Sequence, residues 1–322
     1  MTPHSAPSVL LTGAVTALQL ALLVLGAPLT VGLMRKVRCR LEGRPGPPVR
    51  QPLKDLRKLV GKERIRPQYA SWIFSSAPVV LVGSALTIGA IGPFVSTYPF
   101  LGASADLFVF VFLFLVGSVA LGLAGLDAGT AFGGMGASRA MTIGALAEPA
   151  LLVAVLAISI PARSPNLPAI VVGSLAHPIW LASPGRLLAL AALVIVVLAE
   201  AGRLPVDNPT THLELTMIHE AMVLEYAGPD LALVKLGEAM RLGLLLGLLA
   251  NLFLPWGVAQ TQTPGGVVLG VVALVGKVGL IAAAIAAAEV FMAKLRLFRV
   301  PELLAGAFVL SVLGVVSALA LA

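Results

Sequence analysis

Long apolar segments separated by short polar links dominate the hydrophobicity pattern of the chain. A helix of about 20 apolar residues is long enough to cross the roughly 30 Å hydrocarbon core of a bilayer. The alternating segments of about ten residues that outer-membrane barrels use are not seen in the sequence. The pattern therefore predicts an all-α integral membrane protein with about eight transmembrane helices, at residues 9–34, 72–95, 105–126, 141–160, 186–201, 231–254, 267–290 and 303–321.

Composition supports this fold class. Of the 322 residues, 58% are apolar and 11% are charged, whereas a soluble domain carries about 25% charged residues. We therefore expect a single membrane domain over residues 1–322, whose first segment is a retained helix and not a cleaved signal peptide. The predicted cytoplasmic loops cover about 35–71, 127–140, 202–230 and 291–302.

Lysine and arginine are concentrated on one side of the predicted helices. The first loop holds twelve of the 22 basic residues, and the four loops on its side hold seventeen, against two in the opposite loops. The positive-inside rule assigns these four loops to the cytoplasm and places both termini on the other side. The net charge of +7 then suits lipid headgroups or a docked partner better than nucleic acid.

The first loop contains a short amphipathic segment. Residues 52–60 place Leu53, Leu56, Leu59 and Val60 on one helical face and the charges on the other. This pattern predicts a short amphipathic helix at the membrane interface. The alternative is that it only rests on anionic headgroups.

Cofactor chemistry is not predicted for this chain. Its one cysteine, Cys39, is too few for a disulfide, an iron–sulfur cluster or a structural zinc site. His219-Glu220 begins like a zinc-protease motif, but Val223 stands where the second histidine is required. His212 and His219 are separated by about 10 Å along a helix, which is too far for one ion. We therefore expect no metal site, and any electron-carrying metal must belong to a partner.

The glycine cluster at residues 133–136 invites comparison with a phosphate-binding loop. It lacks the Gly-Lys-Ser/Thr ending of that motif, and no strand is predicted before it. The sequence predicts a flexible cytoplasmic turn there.

Several ionisable side chains lie inside or at the edges of predicted spans. A charge at the centre of a lone span costs about 2.5–3.5 kcal/mol or more, so such groups usually face a protein interior or a water-filled path. Lys277 lies about 15 Å from either end of its span, and we expect it to face a buried carboxylate or a neighbouring subunit. Lys235, Glu238 and Arg241 are expected to pair along one helix side, or to form a purely structural cluster. Further candidates for proton relay are Glu148, Glu200 and Glu289.

The fifth loop is the densest polar stretch, and residues 210–227 have a helical pattern. At 100° per residue, Glu214 and Glu225 lie about 20° apart, and His212 and His219 fall on nearly the opposite side. A helix with a carboxylate side and an imidazole side suits proton handling, because burial and neighbouring charges can move both pKa values toward neutrality. The same loop supplies the candidate acids Asp207 and Glu220.

The fifth loop also resembles the signature of a known family, the membrane-arm subunit of respiratory complex I that joins the quinone chamber to antiporter-like subunits. The matching residues are Ala199-Glu200, Arg203, Pro205, Asp207, Pro209, Glu214-Leu215 and Glu225-Tyr226. Supporting matches are Gln51-Pro52, Asp55, Lys58-Leu59, Lys62-Glu63, Ala137-Ser138-Arg139 and Glu148.

Within that superfamily the chain is more similar to one branch. The run from Val206 to Tyr226 closely resembles the membrane-anchor subunit of group 4 nickel–iron hydrogenases, of the formate hydrogenlyase subunit 4 type. Glu214 and Glu225 are three residues further apart than expected of complex I. The segment Arg299-Val300-Pro301-Glu302 favours the same branch.

The resemblance implies a non-catalytic subunit in the cytoplasmic membrane of a prokaryote, which anchors hydrogenase small and large subunits beside antiporter-like membrane subunits. The nickel–iron site and the iron–sulfur clusters would belong to those partners. The implied docking residues are Gln51, Asp55, Lys58, Arg139, Arg203 and Asp207. The implied coupling residues, which pass redox energy to proton or sodium movement, are Glu148, Glu200, Asp207, Glu214, Glu220, Glu225, Glu238, Lys277 and Glu289, with no role assigned to His212 and His219.

Quinone binding stays open at this point. Hydrogenases of this branch pass electrons to protons, whereas complex I requires a quinone, so the closer resemblance weighs against a quinone without excluding it. The alternatives are a quinone-site subunit of a complex I-type NADH dehydrogenase, a freestanding secondary transporter, and a passive anchor in which every buried ion pair is structural.

Overall fold

The structure, a computed structural model, describes residues 9–207 and 218–321. Eleven α-helices and no β-strand occur in these two ranges, which confirms the all-α prediction. The α-helices are α1 (Val9–Leu41), α2 (Gln51–Val60), α3 (Trp72–Ile91), α4 (Leu107–Asp127), α5 (Ala131–Ala162), α6 (Leu167–Ala176), α7 (Pro184–Glu200), α8 (His219–Val223), α9 (Gly228–Phe253), α10 (Pro264–Phe291) and α11 (Val300–Leu321). Short 3-10 helices cover Gly102–Ser104, Pro178–Ala182 and Leu297–Arg299.

Six helical segments in the described residues are long and apolar enough to cross a membrane. They are α1, α3, α4, α5, α10 and the segment Leu297–Ala320, which contains most of α11. α7 has 17 residues and α9 carries four charged residues. Both nevertheless pack against the six, α7 on α5 and α11, and α9 on α1, α3 and α10. The prediction of about eight spans therefore stays a prediction for α7 and α9.

Side-chain caps set the beginnings of several helices. Ser71, Asp106, Thr130 and Thr263 each accept a hydrogen bond from a backbone N–H in the first turn of the helix that follows. Such caps satisfy donors that have no partner inside the helix. The short polar links between the spans therefore also define where α3, α4, α5 and α10 begin.

The glycine cluster at residues 133–136 lies inside α5, so the prediction of a flexible turn there is wrong. A Cβ atom on Gly133 would lie 2.3 Å from the carbonyl oxygen of Gly125, and one on Gly136 would lie 2.8 Å from the Cβ atom of Ala221. The glycines allow α5 to pack closely on α4 and α8, as small residues do between membrane helices. The link between α4 and α5 is reduced to residues 128–130.

Three further helices can be compared with the sequence predictions. The amphipathic helix of the first loop is confirmed as α2. The ten-residue helix α6 was not predicted, because it is too short to produce a membrane-span signal. The continuous helix expected over 210–227 is wrong for its last part, since α8 ends at Val223 and residues 224–225 form a turn.

Candidate functional site

A cavity of about 740 Å³ lies where one end of the helix bundle meets α2 and α8. Its wall combines apolar side chains, among them Pro28, Val31, Met34, Leu81 and Leu242, with a dense set of charged groups. The charged lining residues, together with His219, are Arg35, Arg38, Glu42, Arg44, Asp55, Glu200, Arg203, Asp207, His219, Glu220, Lys235, Glu238, Arg241 and Glu289. We call this site the charged cavity, and the end of the bundle that holds it the cavity end.

α7 and α9 each place ionisable groups on the cavity wall. Arg241 of α9 donates a hydrogen bond to the buried carboxylate of Glu200, the last residue of α7. One to two turns earlier in α9, the Lys235 ammonium lies 2.7 Å from Glu220 and 3.3 Å from Glu238. The predicted Lys235–Glu238 pair is therefore present, but Arg241 pairs across helices instead of along its own.

Arg203 and Glu289 form a second pair across the cavity, with a nitrogen–oxygen distance of 3.7 Å. Burial lowers the pKa of Arg203, the charge of Glu289 opposes that shift, and the nearby positive charges of Arg35 and Arg38 add to it. The side chain of Arg203 is 11% exposed. It therefore belongs to the cavity wall more than to an open docking surface.

Asp207 connects the fifth loop to α8 and to the segment before α11. Its carboxylate lies 2.9 Å from the Lys294 ammonium and accepts a hydrogen bond of 3.4 Å from the backbone N–H of His219. Burial raises the pKa of Asp207, but hydrogen bonds and positive charge from His219 and Lys294 outweigh burial and bring the pKa to about 2. Asp207 is therefore a fixed negative charge at neutral pH.

Glu148 stands behind the cavity wall. It is 7% exposed, and its Oε1 atom has no hydrogen-bond partner among the described residues. It lies close enough to Glu200 and Arg241 to interact with their charges. An unpaired buried carboxylate is unfavourable unless it can change its protonation state. Glu148 is therefore a group that can gain or lose a proton, and it extends the row of ionisable groups from the cavity into α5.

Other predicted site residues lie at the edge of this constellation or apart from it. Asp55 lines the cavity and accepts a hydrogen bond of 2.8 Å from Gln51, while Lys58 is exposed on the same helix. Arg139 and Glu225 are half-buried and are not among the cavity-lining residues. Glu214 and His212 lie outside the described residues.

Lys277 contradicts its predicted environment. Among the described residues it contacts no carboxylate. Its ammonium donates to the side chain of Asn251 at 2.7 Å and to the carbonyls of Leu254 and Trp256 at 2.9 and 3.0 Å. The expected carboxylate is not found among the described residues, because the chain at and just beyond the end of α9 supplies oxygens that carry partial negative charge. Lys277 therefore lies outside the charged cavity. The alternative, contact with a neighbouring subunit, stays a prediction.

Sequence reasoning missed four charged residues of the cavity wall, Arg35, Arg38, Glu42 and Arg44, and also missed Lys294, which lies outside that wall. Arg35 and Arg38 lie in α1, which continues to Leu41, seven residues beyond the predicted span, and Glu42 and Arg44 follow its end. A helical continuation of the basic run after residue 34 could have indicated them. Lys294 reaches Asp207 across 87 residues of sequence, and no local pattern indicates such a contact.

Among the described residues, no group of histidine, cysteine, aspartate and glutamate side chains is arranged to hold a metal ion. The charged cavity instead contains paired acids and bases in contact with an apolar wall. Such groups can bind and release protons, or respond to a charge placed near them.

Comparison with known proteins identifies the family of this chain. The family model described as NADH dehydrogenase matches residues 14–320. Formate hydrogenlyase subunit 4 of Escherichia coli (strain K12) is 34% identical over 294 residues, which cover 91% of this chain and 94% of that protein. Hydrogenase-4 component C of the same organism is 33% identical over 243 residues, covering 75% of each.

A solved structure has the same fold. A chain of the membrane-bound sulfane sulfur reductase, an archaeal respiratory membrane complex, superposes with a TM-score of 0.79 at 21% identity, over 95% of this chain and 99% of that chain. The resemblance read from the fifth loop is thereby confirmed. The chain belongs to the NADH dehydrogenase family of membrane proteins, together with formate hydrogenlyase subunit 4.

Proposed function

We propose that this chain is the membrane-anchor and coupling subunit of a complex I-like, membrane-bound nickel–iron hydrogenase of the formate hydrogenlyase type. It docks a cytoplasmic redox arm and relays redox energy to proton or sodium movement. The charged cavity carries the proposal, because its ionisable groups lie in contact with one another at the end of the bundle that the basic loops assign to the cytoplasm. The identity to formate hydrogenlyase subunit 4 supports the choice of partner.

The coupling residues act through charge. A change of charge in the redox arm would alter the protonation of the nearest cavity acids, since a neighbouring charge shifts the pKa of a carboxylate. Glu220 and Glu238 share Lys235, so a proton gained by either acid weakens one of two competing ion pairs. Glu200 and Glu148 then continue this row of acids into the membrane interior.

We place the docking face on the loops of the cavity end. The loop from α2 to α3 and the link from α10 to α11 expose large apolar side chains among basic residues, including Ile65 at 64%, Tyr69 at 88% and Phe298 at 89%. Exposed apolar groups rimmed by charge are typical of protein or membrane contacts. We assign this face to the hydrogenase small and large subunits, which carry the nickel–iron site and the iron–sulfur clusters. Antiporter-like subunits and lipid contact the membrane-facing surfaces.

Purification of the tagged chain in mild detergent tests this proposal. We expect nickel, iron and hydrogen-forming activity to copurify with it. Lys58→Glu, at the exposed face of α2, should reduce the amount of copurified nickel, and Arg163→Glu, at the opposite end of the bundle, should not. A chain that purifies alone and transports a solute in liposomes would refute the proposal and identify a secondary transporter.

A quinone-site subunit is the second candidate, because the cavity has an apolar wall and the matching family is described as NADH dehydrogenase. The two candidates differ in the electron acceptor. Turnover of the purified complex with hydrogen-forming activity and no added quinone supports the hydrogenase. An absolute requirement for a quinone, with no hydrogen chemistry, supports the second candidate.

A further inference from the structure

One rim of the charged cavity has more positive than negative charge. Arg35 lines the cavity and contacts no carboxylate among the described residues. Glu42 lies 2.9 Å from Arg38, and Glu289 lies 3.7 Å from Arg203, so these two acids are already paired. Arg35 and Arg38 lie three residues apart on α1, and both line the cavity together with Arg203. The rim therefore has an unmatched guanidinium group available to an anion.

An apolar wall begins directly behind this rim. Pro28, Val31 and Met34 precede Arg35 on α1 and line the same cavity. Seven residues separate Pro28 from Arg35, or about 10 Å along the helix axis. The cavity, at about 740 Å³, is within the usual range of small-molecule sites. The α1 side of the cavity therefore combines positively charged arginines with an apolar wall.

The lysine of the cavity wall is already paired. Glu220 and Glu238 line the same cavity, and both are in contact with Lys235. Lys235 therefore has two carboxylate partners, whereas Arg35 on α1 has no ion-pair partner among the described residues and is the cation that an anionic head can use. A ligand that matches both the charge and the apolar wall is amphiphilic.

We infer that the charged cavity binds an anionic phospholipid from the bilayer, with its phosphate at Arg35 and Arg38 and an acyl chain along Pro28, Val31 and Met34. Arginine is well suited to phosphate because its planar guanidinium group donates paired hydrogen bonds. A free phosphate ion would leave the apolar wall unused, and a neutral quinone head would leave the unpaired arginine unused. The inference does not depend on hydrogenase partners, so binding can be tested without turnover.

The experiment uses the purified assembly that contains this chain, washed with detergent and titrated with phosphatidylglycerol or phosphatidylcholine, with bound lipid counted by native mass spectrometry. Arg35→Gln breaks no ion pair among the described residues. Arg40→Gln is the matched control, because Arg40 is exposed on the same helix and does not line the cavity. Val31→Ser tests the apolar wall.

We expect one phosphatidylglycerol to be retained per chain in the wild type and in Arg40→Gln. Arg35→Gln should weaken its binding about tenfold, and Val31→Ser should weaken it several-fold. Equal retention of phosphatidylcholine would overturn the inference, as would equal binding in Arg35→Gln and Arg40→Gln. Displacement of the lipid by inorganic phosphate alone, or by decylubiquinone at equal concentration, would assign the site to those ligands and overturn it too.

Discussion

The contact between α5 and α8 controls the position of one cavity wall, and Gly136→Ala tests it. A Cβ atom at position 136 would lie 2.8 Å from the Cβ atom of Ala221 and 3.0 Å from the carbonyl oxygen of Ile218. Neither atom can move away by a side-chain rotation. α8 must therefore shift, and with it His219 and Glu220, which line the cavity.

Gly134→Ala is the matched control, since a Cβ atom at Gly134 meets nothing within 4 Å. Alanine is favoured over glycine in a helix by about 1 kcal/mol at both positions. At Gly136 alone, this gain is opposed by overpacking, which costs about 1–3 kcal/mol. We therefore expect Gly136→Ala to be less stable than Gly134→Ala by about 1–3 kcal/mol.

Thermal unfolding of the two purified variants in the same detergent measures this difference in stability, and coupled ion transport measures the functional effect of a shifted α8. Gly134→Ala should unfold at or above the wild-type temperature with normal transport. Gly136→Ala should unfold at a lower temperature than Gly134→Ala and should transport fewer ions. If Gly136→Ala is as stable and as active as Gly134→Ala, the close contact of α5 with α8 is refuted.

Three further changes test single interactions. Lys294→Met removes a hydrogen bond and a positive charge from Asp207. The ionised Asp207 contributes its full stabilisation above its ordinary pKa of about 3.8, and this stabilisation is lost as the pH falls toward its folded-state pKa of about 2. The pKa of Asp207 should rise, so acid unfolding should begin at a higher pH than in the wild type, and an unchanged acid midpoint would argue against this pair. Tyr226→Phe removes the hydrogen bond of 2.8 Å to the carbonyl of Phe74 but keeps the stacked rings, so thermal unfolding should show a loss of about 1 kcal/mol; no loss would contradict the bond. Lys277→Met leaves one buried and two partly buried acceptors without their donor and should destabilise the protein by more than 1 kcal/mol, whereas Lys54→Met, at an exposed position of α2, should have no effect; equal unfolding temperatures would contradict the role of Lys277 at the end of α9.

The sequence was most informative where interactions are local. Apolar length predicted the long helices, and helical periodicity predicted α2 and the Lys235–Glu238 pair. The contact of Glu200 with Arg241 joins residues 41 apart, and no periodic pattern encodes such a distance. The composition of a span likewise indicates that Lys277 needs a partner, but carbonyl oxygens at a helix end have no signal in the sequence.

The glycine cluster shows a second limit of sequence patterns. In water, a run of glycines usually marks a turn, because glycine disfavours helices. In a membrane bundle, the same residues let helices approach closely, and the hydrocarbon requires backbone hydrogen bonds to be satisfied internally. The residue types alone do not distinguish the two cases. The packing partners of Gly133 and Gly136 decide it.

Coupled ion movement in Glu148→Gln tests the central claim most directly. This change removes a titratable group at nearly constant volume and breaks no ion pair among the described residues. Glu302→Gln, at an exposed position in α11, is the control. With the purified assembly in liposomes, ions moved are measured per hydrogen formed. We predict a reduced ratio for Glu148→Gln, with hydrogen formation from an artificial donor retained, and a normal ratio for Glu302→Gln. An unchanged ratio in Glu148→Gln would contradict a proton relay through the acids of the charged cavity and α5.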